Sequence, residues 1–256
     1  MNNSGTAASQ RLVMFDSIWM LPPENLELEN DEVHVWLASI SSVDACEFEG
    51  IISADENARA ANFHFPEQKK EYLVSRGILR KILARYTITP AHSLRFEYNE
   101  YGKPSLAGEL NNRLNFNVSH SHGFAVISVT NDNEIGVDLE FIDTSQFCEE
   151  TAKRIFTDRE FTHFGTLNAG EKEVFFYNCW TRKEAFLKAL GSGLIIEPNE
   201  IETIKPSSVS NWVQRNNHSR KTFEWSFFEL DAIKNFSFNL AVEGTNKTQI
   251  KYWTHN

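Results

Sequence analysis

The stretch NFNVSHSHGFAVISVTN (residues 115–131), followed after Asp132 and Asn133 by EIGVDLEFI (134–142), decides the fold class. Both pieces read as strands. In the second, Ile135, Val137, Leu139 and Phe141 recur at every other position, the period of a β-strand. Asp132 and Asn133 tolerate turn geometry and predict a hairpin turn between the two pieces. Helical patterns come next, around 146–166 and 171–190, and the last sixty residues return to strands in TFEWSFFEL (222–230) and FSFNLAVEG (236–244). Strands gathered around helices, rather than alternating βα units, make the chain α+β.

Upstream, EVHVWLASI (32–40) alternates as a half-buried strand. Ser53 and Glu56 stand at capping-box spacing and predict a helix start. EQKKEYLVSRGILRKILARY (67–86) carries Tyr72, Leu79, Ile82 and Leu83 at helical spacing, and residues 87–115 are loop-rich. MNNSGTAASQ reads as a disordered tail, giving three parts: a tail over 1–12, an N-terminal subdomain over 13–130 and a C-terminal subdomain over 131–256.

The 256 residues are 41% hydrophobic and 23% charged, a globular composition with room for a real core. A net charge of −10 argues against a general nucleic-acid or anionic-membrane binder. Basic residues still cluster locally: Lys69, Lys70, Arg76, Arg80, Lys81 and Arg85 in one segment, Lys183 and Lys188 in another. The ordinary reading of such runs is a solvated helix face. Three widely spaced cysteines, Cys46, Cys148 and Cys179, form no zinc pattern and suit reduced thiols. With no signal-peptide pattern and no membrane-length apolar run, the expectation is a cytoplasmic, soluble protein.

Four places carry candidate chemistry. On the strand 134–142, Gly136, Asp138 and Glu140 share the face opposite the apolar residues. Two carboxylates about 7 Å apart along a strand can ligate one hard cation such as Mg²⁺, or simply line a solvated face. In WTRKEAFLKALGSG (180–193), Glu184 lies at the margin of a stripe formed by Phe176, Trp180 and Leu187, with Lys188 one turn on. A solvated Glu–Lys pair would explain that equally. Ser119, His120, Ser121 and His122 end a strand entering a turn, as phosphate-holding groups or as plain turn residues. In EYGKP, Gly102 and Pro104 fix where Lys103 stands. Carboxylates, a Ser-His pair and cations without a covalent nucleophile motif form an inventory for phosphoryl-type transfer.

IGVDLE (135–140) followed by WTRKEAFLK (180–188) resembles the two-part signature of surfactin-type 4′-phosphopantetheinyl transferases, with EYGKP, FNVSHS, RIFTDREF and GSGL in the expected order over roughly residues 50–195. The resemblance implies two similar α+β subdomains in a pseudo-twofold arrangement, with the active site and coenzyme A between them, within one monomer. It implies transfer of the 4′-phosphopantetheine arm to a serine of an apo acyl or peptidyl carrier protein, releasing 3′,5′-ADP. Carried over by motif, Asp138, Glu140 and Glu184 would hold Mg²⁺ (or Mn²⁺), and Glu184 would serve as general base. Lys188 would neutralise the reacting phosphate, Ser119 and His120 would hold the pyrophosphate, and Lys103, Arg59 and Arg76 would grip the adenosine-side phosphates. A docking surface for the carrier is expected within 145–180.

Two other readings compete. A Mg²⁺-dependent phosphodiesterase or nuclease shares the D-x-E strand and the Glu-Lys helix but needs a basic groove for its substrate. A non-catalytic scaffold binding coenzyme A or a carrier protein needs the cations but not all three carboxylates.

Overall fold

The computed structural model describes residues 18–108, 114–143, 148–191, 196–203, 214–215, 224–244 and 248–255. The segments expected as the tail (1–12), most of GSGL, and the start of the 146–166 helical stretch lie outside the described residues.

The fold is a mixed α+β arrangement built on two sheets. The strands are β1 (Glu32–Ser39), β2 (Phe96–Tyr98), β3 (Pro104–Leu106), β4 (Leu114–Ser121), β5 (Phe124–Asn131), β6 (Ile135–Phe141), β7 (Ile201–Glu202), β8 (Gln214–Arg215), β9 (Trp225–Glu229), β10 (Phe236–Glu243) and β11 (Gln249–His255). The first sheet has the order β11-β1-β5-β4, the second β6-β10-β9, and β2-β3 and β7-β8 are short ribbons. Helices are α1 (Ala54–Ala60), α2 (Pro66–Ala84), α3 (Glu149–Ile155), α4 (Asp158–Phe164) and α5 (Ala169–Leu190).

Side-chain alternation decides the layering. Trp36, Ala38, Phe116 and Ile127 turn one face of the first sheet toward Val74, Ile78 and Ile82 of α2. Val33, Val35, Leu37 and Val126 turn the other face toward Ile135, Val137, Leu139, Phe238 and Leu240 of the second sheet. On the far side of that second sheet, Ala241 and Trp225 pack against Ala185, Phe186 and Ala189 of α5. The layers therefore run α2, sheet, sheet, α5. β1 is covered on both faces and buried over nearly its whole length, which corrects its reading as half-buried: a strand between two apolar layers has no solvent face. Its parallel partner β11 has no counterpart in the sequence reading.

The turn at Asp132 is real but joins no hairpin. Asp132 takes φ 60, and the chain passes from β5 in the first sheet to β6 in the second, where β6 pairs with β10. The tight hairpin is instead β4–β5, in which Ser121 faces Phe124 across His122 (φ 48) and Gly123 (φ 80). Two consecutive left-handed residues give the turn whose twist matches a two-stranded ribbon.

One edge of β6 would leave its N–H groups without strand partners. Three side chains at alternate positions of β4 take them: Val137 N–H donates to Asn117 Oδ1 at 3.1 Å, Leu139 N–H to Ser119 Oγ at 3.3 Å and Phe141 N–H to Ser121 Oγ at 3.1 Å. The period of two along β4 matches the period of two along β6, so polar side chains join the two sheets where main chain does not.

Local signals start the helices. Ser53 and Glu56 form the expected capping box on α1; Thr157 with Glu160 and Asn168 with Glu171 form two more on α4 and α5. Gly191, at φ 60, ends α5 in the left-handed conformation. Helix α5 is buried on most of its circumference, since the second sheet covers one side and α3, α4 and the 198–200 turn cover another. That corrects its reading as a helix with one apolar stripe. Lys183, read as part of a solvated cationic run, is fully buried: its Nζ donates to the carbonyls of Ile155 and Pro198 and to Glu160. Arg76 and Arg80 are likewise buried, both pairing with Glu56.

Candidate active site

The face of β6 opposite its apolar residues lies under α5. Gly136, on that face, has no room for a side chain: a Cβ there would stand 1.9 Å from the Ala185 carbonyl oxygen. Close approach of helix to strand brings Asp138 of β6 together with Lys188 and Glu184 of α5, and Ser119 of β4 completes the group.

Asp138 is 2% exposed. Its Oδ1 accepts from Lys188 Nζ at 2.6 Å and from Ser119 Oγ at 2.9 Å. Lys188 Nζ also donates to Ser119 Oγ at 2.9 Å. The serine hydroxyl is thus fully engaged, giving its proton to Asp138 and accepting from Lys188 and Leu139 N–H. The other oxygen of Asp138, Oδ2, is buried with no donor. An unsatisfied buried carboxylate oxygen costs free energy and marks a place where a donor or cation belongs.

Glu140, two residues on, accepts from Ser121 Oγ at 3.1 Å. Burial, then the Asp138 charge, pushes its carboxyl above the usual range, against the Ser121 hydrogen bond and Lys188. Glu184 is pushed up to about 7, by burial first and Asp138 second; Lys188 opposes the shift and Glu140 adds to it. The three carboxylates sense one another's charge, yet among the described residues no three Asp, Glu, His or Cys side chains converge as a preformed metal cluster. Lys188 is the cation on Asp138 in this arrangement.

Glu184, Leu187 and Lys188 line a cavity of about 260 Å³ together with Tyr101, Lys103, Asn117 and Val118. Lys103 reaches this cavity because Asn99 Oδ1 accepts from the N–H groups of Tyr101 and Lys103, and Gly102 turns at φ 85. Its Nζ donates to Glu134 Oε2 at 2.5 Å and to the Ala189 carbonyl at 2.6 Å, so the ammonium also ties the 99–103 turn to the end of α5.

The remaining expected residues stand apart from Asp138. His120 is exposed, on the face of β4 opposite Ser119. Arg76 donates from Nε to Glu56 Oε1 at 2.6 Å and lies over the Phe96 ring, while its buried Nη2 has no partner. Arg59 lies over the Tyr98 ring, 5.2 Å from its centroid. These two arginines gather with Tyr72 around the β2 ribbon.

Sequence reasoning missed Asn117 and Asn239, and it named Ser121 without its bonds to Phe141 N–H and Glu140. Asn239 faces Asp138 in the β10–β6 register and is fully buried. The signal for Asn117 and Ser121 was present in the polar alternation N-x-S-x-S of β4; a single asparagine in FSFNLAVEG gave none for Asn239.

Two family models match the chain: residues 134–242 match the 4′-phosphopantetheinyl transferase superfamily, and residues 39–132 match 4′-phosphopantetheinyl transferase, N-terminal. Over 244 residues the chain is 34% identical to 4′-phosphopantetheinyl transferase HetI of Nostoc sp., covering 94% of this chain and 99% of that protein. It is 31% identical over 147 residues to 4′-phosphopantetheinyl transferase Sfp of Bacillus subtilis, covering 57% of this chain and 63% of Sfp. With the L-aminoadipate-semialdehyde dehydrogenase-phosphopantetheinyl transferase of Xenopus laevis it shares 31% identity over 160 residues, 59% of this chain and 53% of that protein.

Proposed function

The chain belongs to the 4′-phosphopantetheinyl transferase family, and on that premise we propose that Asp138, Glu140, Glu184 and Lys188 carry out the transfer at the cavity between α5 and the 99–103 turn. The enzyme transfers the phosphopantetheine arm of coenzyme A to a carrier protein. The observation that carries the residue assignment is Asp138: buried, held through one oxygen by Lys188 and Ser119, and left with the other oxygen free.

A divalent cation, Mg²⁺ or Mn²⁺, fits these residues. Asp138 Oδ2 needs a partner, and Glu140 and Glu184, whose carboxyls are raised by burial first and by the Asp138 charge next, stand close enough to sense that charge, so oxygen donors suited to a hard cation are gathered here. Asp138, Glu140 and Glu184 would hold it, and when bound it would neutralise charge on the coenzyme A pyrophosphate. Glu184 lines the cavity beside Lys188, where it can act as general base. It takes the proton of the carrier serine hydroxyl, directly or through a water. The serine oxygen then bonds to the phosphorus bearing the pantetheine arm, the pyrophosphate P–O bond breaks, and 3′,5′-ADP leaves. Lys188, at the cavity wall, neutralises the reacting phosphate. Ser119 acts through Asp138 and Lys188; Lys103, His120, Arg59 and Arg76 would meet the outer phosphates.

The same reading treats α2 on its four-stranded sheet and α5 on its three-stranded sheet as related subdomains, 13–130 and 131–256 in outline, with β11 crossing back. An acyl or peptidyl carrier protein as acceptor, a monomeric state and a cytoplasmic location belong to it too. Among the described residues no helix is long and apolar enough to cross a membrane, and Cys46, Cys148 and Cys179 form no disulfide.

Incubating an apo carrier protein with the enzyme, coenzyme A and Mg²⁺ tests the proposal by intact mass. A gain of one phosphopantetheine group, lost in EDTA and lost in Glu184→Gln, supports it. Transfer undiminished by either treatment would sink the assignment of the metal and of Glu184.

A further inference from the structure

Asp138 Oδ2 is not the one orphaned oxygen on this face. Asn239 Oδ1, on the neighbouring strand, is also buried with no donor. The two residues are register partners, Asn239 of β10 opposite Asp138 of β6. Directly opposed residues of antiparallel strands project from the same face with Cβ atoms about 4.5–5.5 Å apart. Here that face is the one covered by α5, since Ala241, two residues on, packs against Ala185 and Ala189.

The orientation of the Asn239 amide follows from its surroundings. Its Nδ2 donates to Thr181 Oγ1 at 2.7 Å. Thr181 gives its own proton to the Tyr177 carbonyl, at 2.8 Å one turn back on α5, and Ser237 gives its proton to Asn178 Oδ1 at 2.7 Å. With those protons committed, Thr181 accepts from Asn239, and the carbonyl end of the amide points away from it. Asn239 is 0% exposed, so bulk water does not satisfy that oxygen.

Two buried acceptors with no donor, on register-paired residues of one sheet face, call for a partner that offers hydrogen-bond donors and positive charge together. A hydrated divalent cation does both. Mg²⁺ and Mn²⁺ sit on one or two carboxylates and keep several waters, whose protons need acceptors. Resting on the divalent-cation reading above, we propose that Asn239 is part of the cation site: its Oδ1 accepts a hydrogen bond from a water carried by the cation on Asp138. Asn239 is a positioning residue. It orients the water and, through Thr181, registers the cation against the α5 turn that carries Glu184.

Binding of Mn²⁺ in the presence of coenzyme A, followed by the electron paramagnetic resonance of the free ion, tests this without turnover. Asn239→Leu keeps the shape and removes the acceptor, and should weaken Mn²⁺ by about tenfold, as loss of an outer partner does. Its melting temperature in EDTA should stay close to that of the wild type, because removing the unsatisfied oxygen offsets loss of the bond to Thr181. Asn239→Asp should recover the affinity and make the melting temperature more dependent on Mn²⁺ than in the wild type. Wild-type Mn²⁺ affinity in Asn239→Leu would overturn the inference and leave the cation reading intact. Failure of the wild type itself to bind Mn²⁺, with Asp138→Ala no different, would overturn both.

Discussion

The carbonyl oxygen of Ala185 occupies the space where a side chain on Gly136 would begin, 1.9 Å from an ideal Cβ, with Ala189 N at 2.5 Å. Strand and helix are in direct backbone contact there. Asp138 follows Gly136 by one strand repeat, and Glu184 and Lys188 flank Ala185 on the helix. The contact thus sets the height of α5 above β6, and with it the reach between these side chains.

Gly136→Ala should therefore lift α5 off the sheet. Overpacking in a filled core costs roughly 1–3 kcal/mol, or more where the obstacle is backbone. Urea denaturation should register that loss. Transfer activity should fall further than stability predicts, because the Lys188–Asp138 bond is stretched even in molecules that remain folded.

Lys183 and Glu160 form a fully buried pair that joins α4 to α5. Lys183→Met strands the Glu160 carboxylate, and removing one partner of a buried pair costs about 3–5 kcal/mol. The double variant Lys183→Met with Glu160→Gln should be more stable than the single Lys183→Met. A double-mutant cycle by chemical denaturation checks the order.

His34 makes stability fall in mild acid. Burial holds its imidazole down to about 4 from the ordinary 6.5, against the opposing Glu32 carboxylate. Its Nδ1 lies 2.8 Å from the Tyr86 hydroxyl and its Nε2 3.2 Å from Glu32. Below 6.5 the unfolded chain takes up a proton that the folded chain refuses, so stability declines as pH drops from about 6.5 to 4 and levels off below. The urea midpoint measured across that range should slope less in His34→Gln than in the wild type.

Arg182 separates the two faces of α5. It donates to the Thr203 carbonyl and to Glu229, away from the cavity. Arg182→Ala should leave kcat within a few-fold of wild type, whereas Glu184→Gln, two residues along, should remove turnover while circular dichroism and melting stay native-like. Comparable losses in both variants would show that any disturbance of α5 is enough.

The sequence carried the local structure well where a rule acts over a few residues. The Ser53–Glu56 box, the span of α2 and the shared face of Gly136, Asp138 and Glu140 follow from capping and strand period alone. Long-range pairing was not legible. Nothing near Asp132 says that β6 leaves the sheet of β5, and nothing in QIKYWTH says that it pairs with a strand near the start of the chain. Charge was misread for a related reason: Lys183, Arg76 and Arg80 look like surface residues until Glu160 and Glu56 arrive from other segments. Asn239 was invisible because its meaning depends on its cross-strand neighbour.

The pairing of β1 with β11 joins strands that lie far apart along the chain. β1 lies between β5 and β11, with Val33 opposite Ile250 and Val35 opposite Tyr252, and the chain near Met20 then covers the outer edge of β11 through Met20 N–H to Tyr252 O and Thr254 N–H to Met20 O. While the polypeptide is still emerging from the ribosome, the first sheet ends at β1, an apolar strand with an open edge. Such an edge invites pairing with other chains. β11, far along the chain from β1, is the strand that closes that edge.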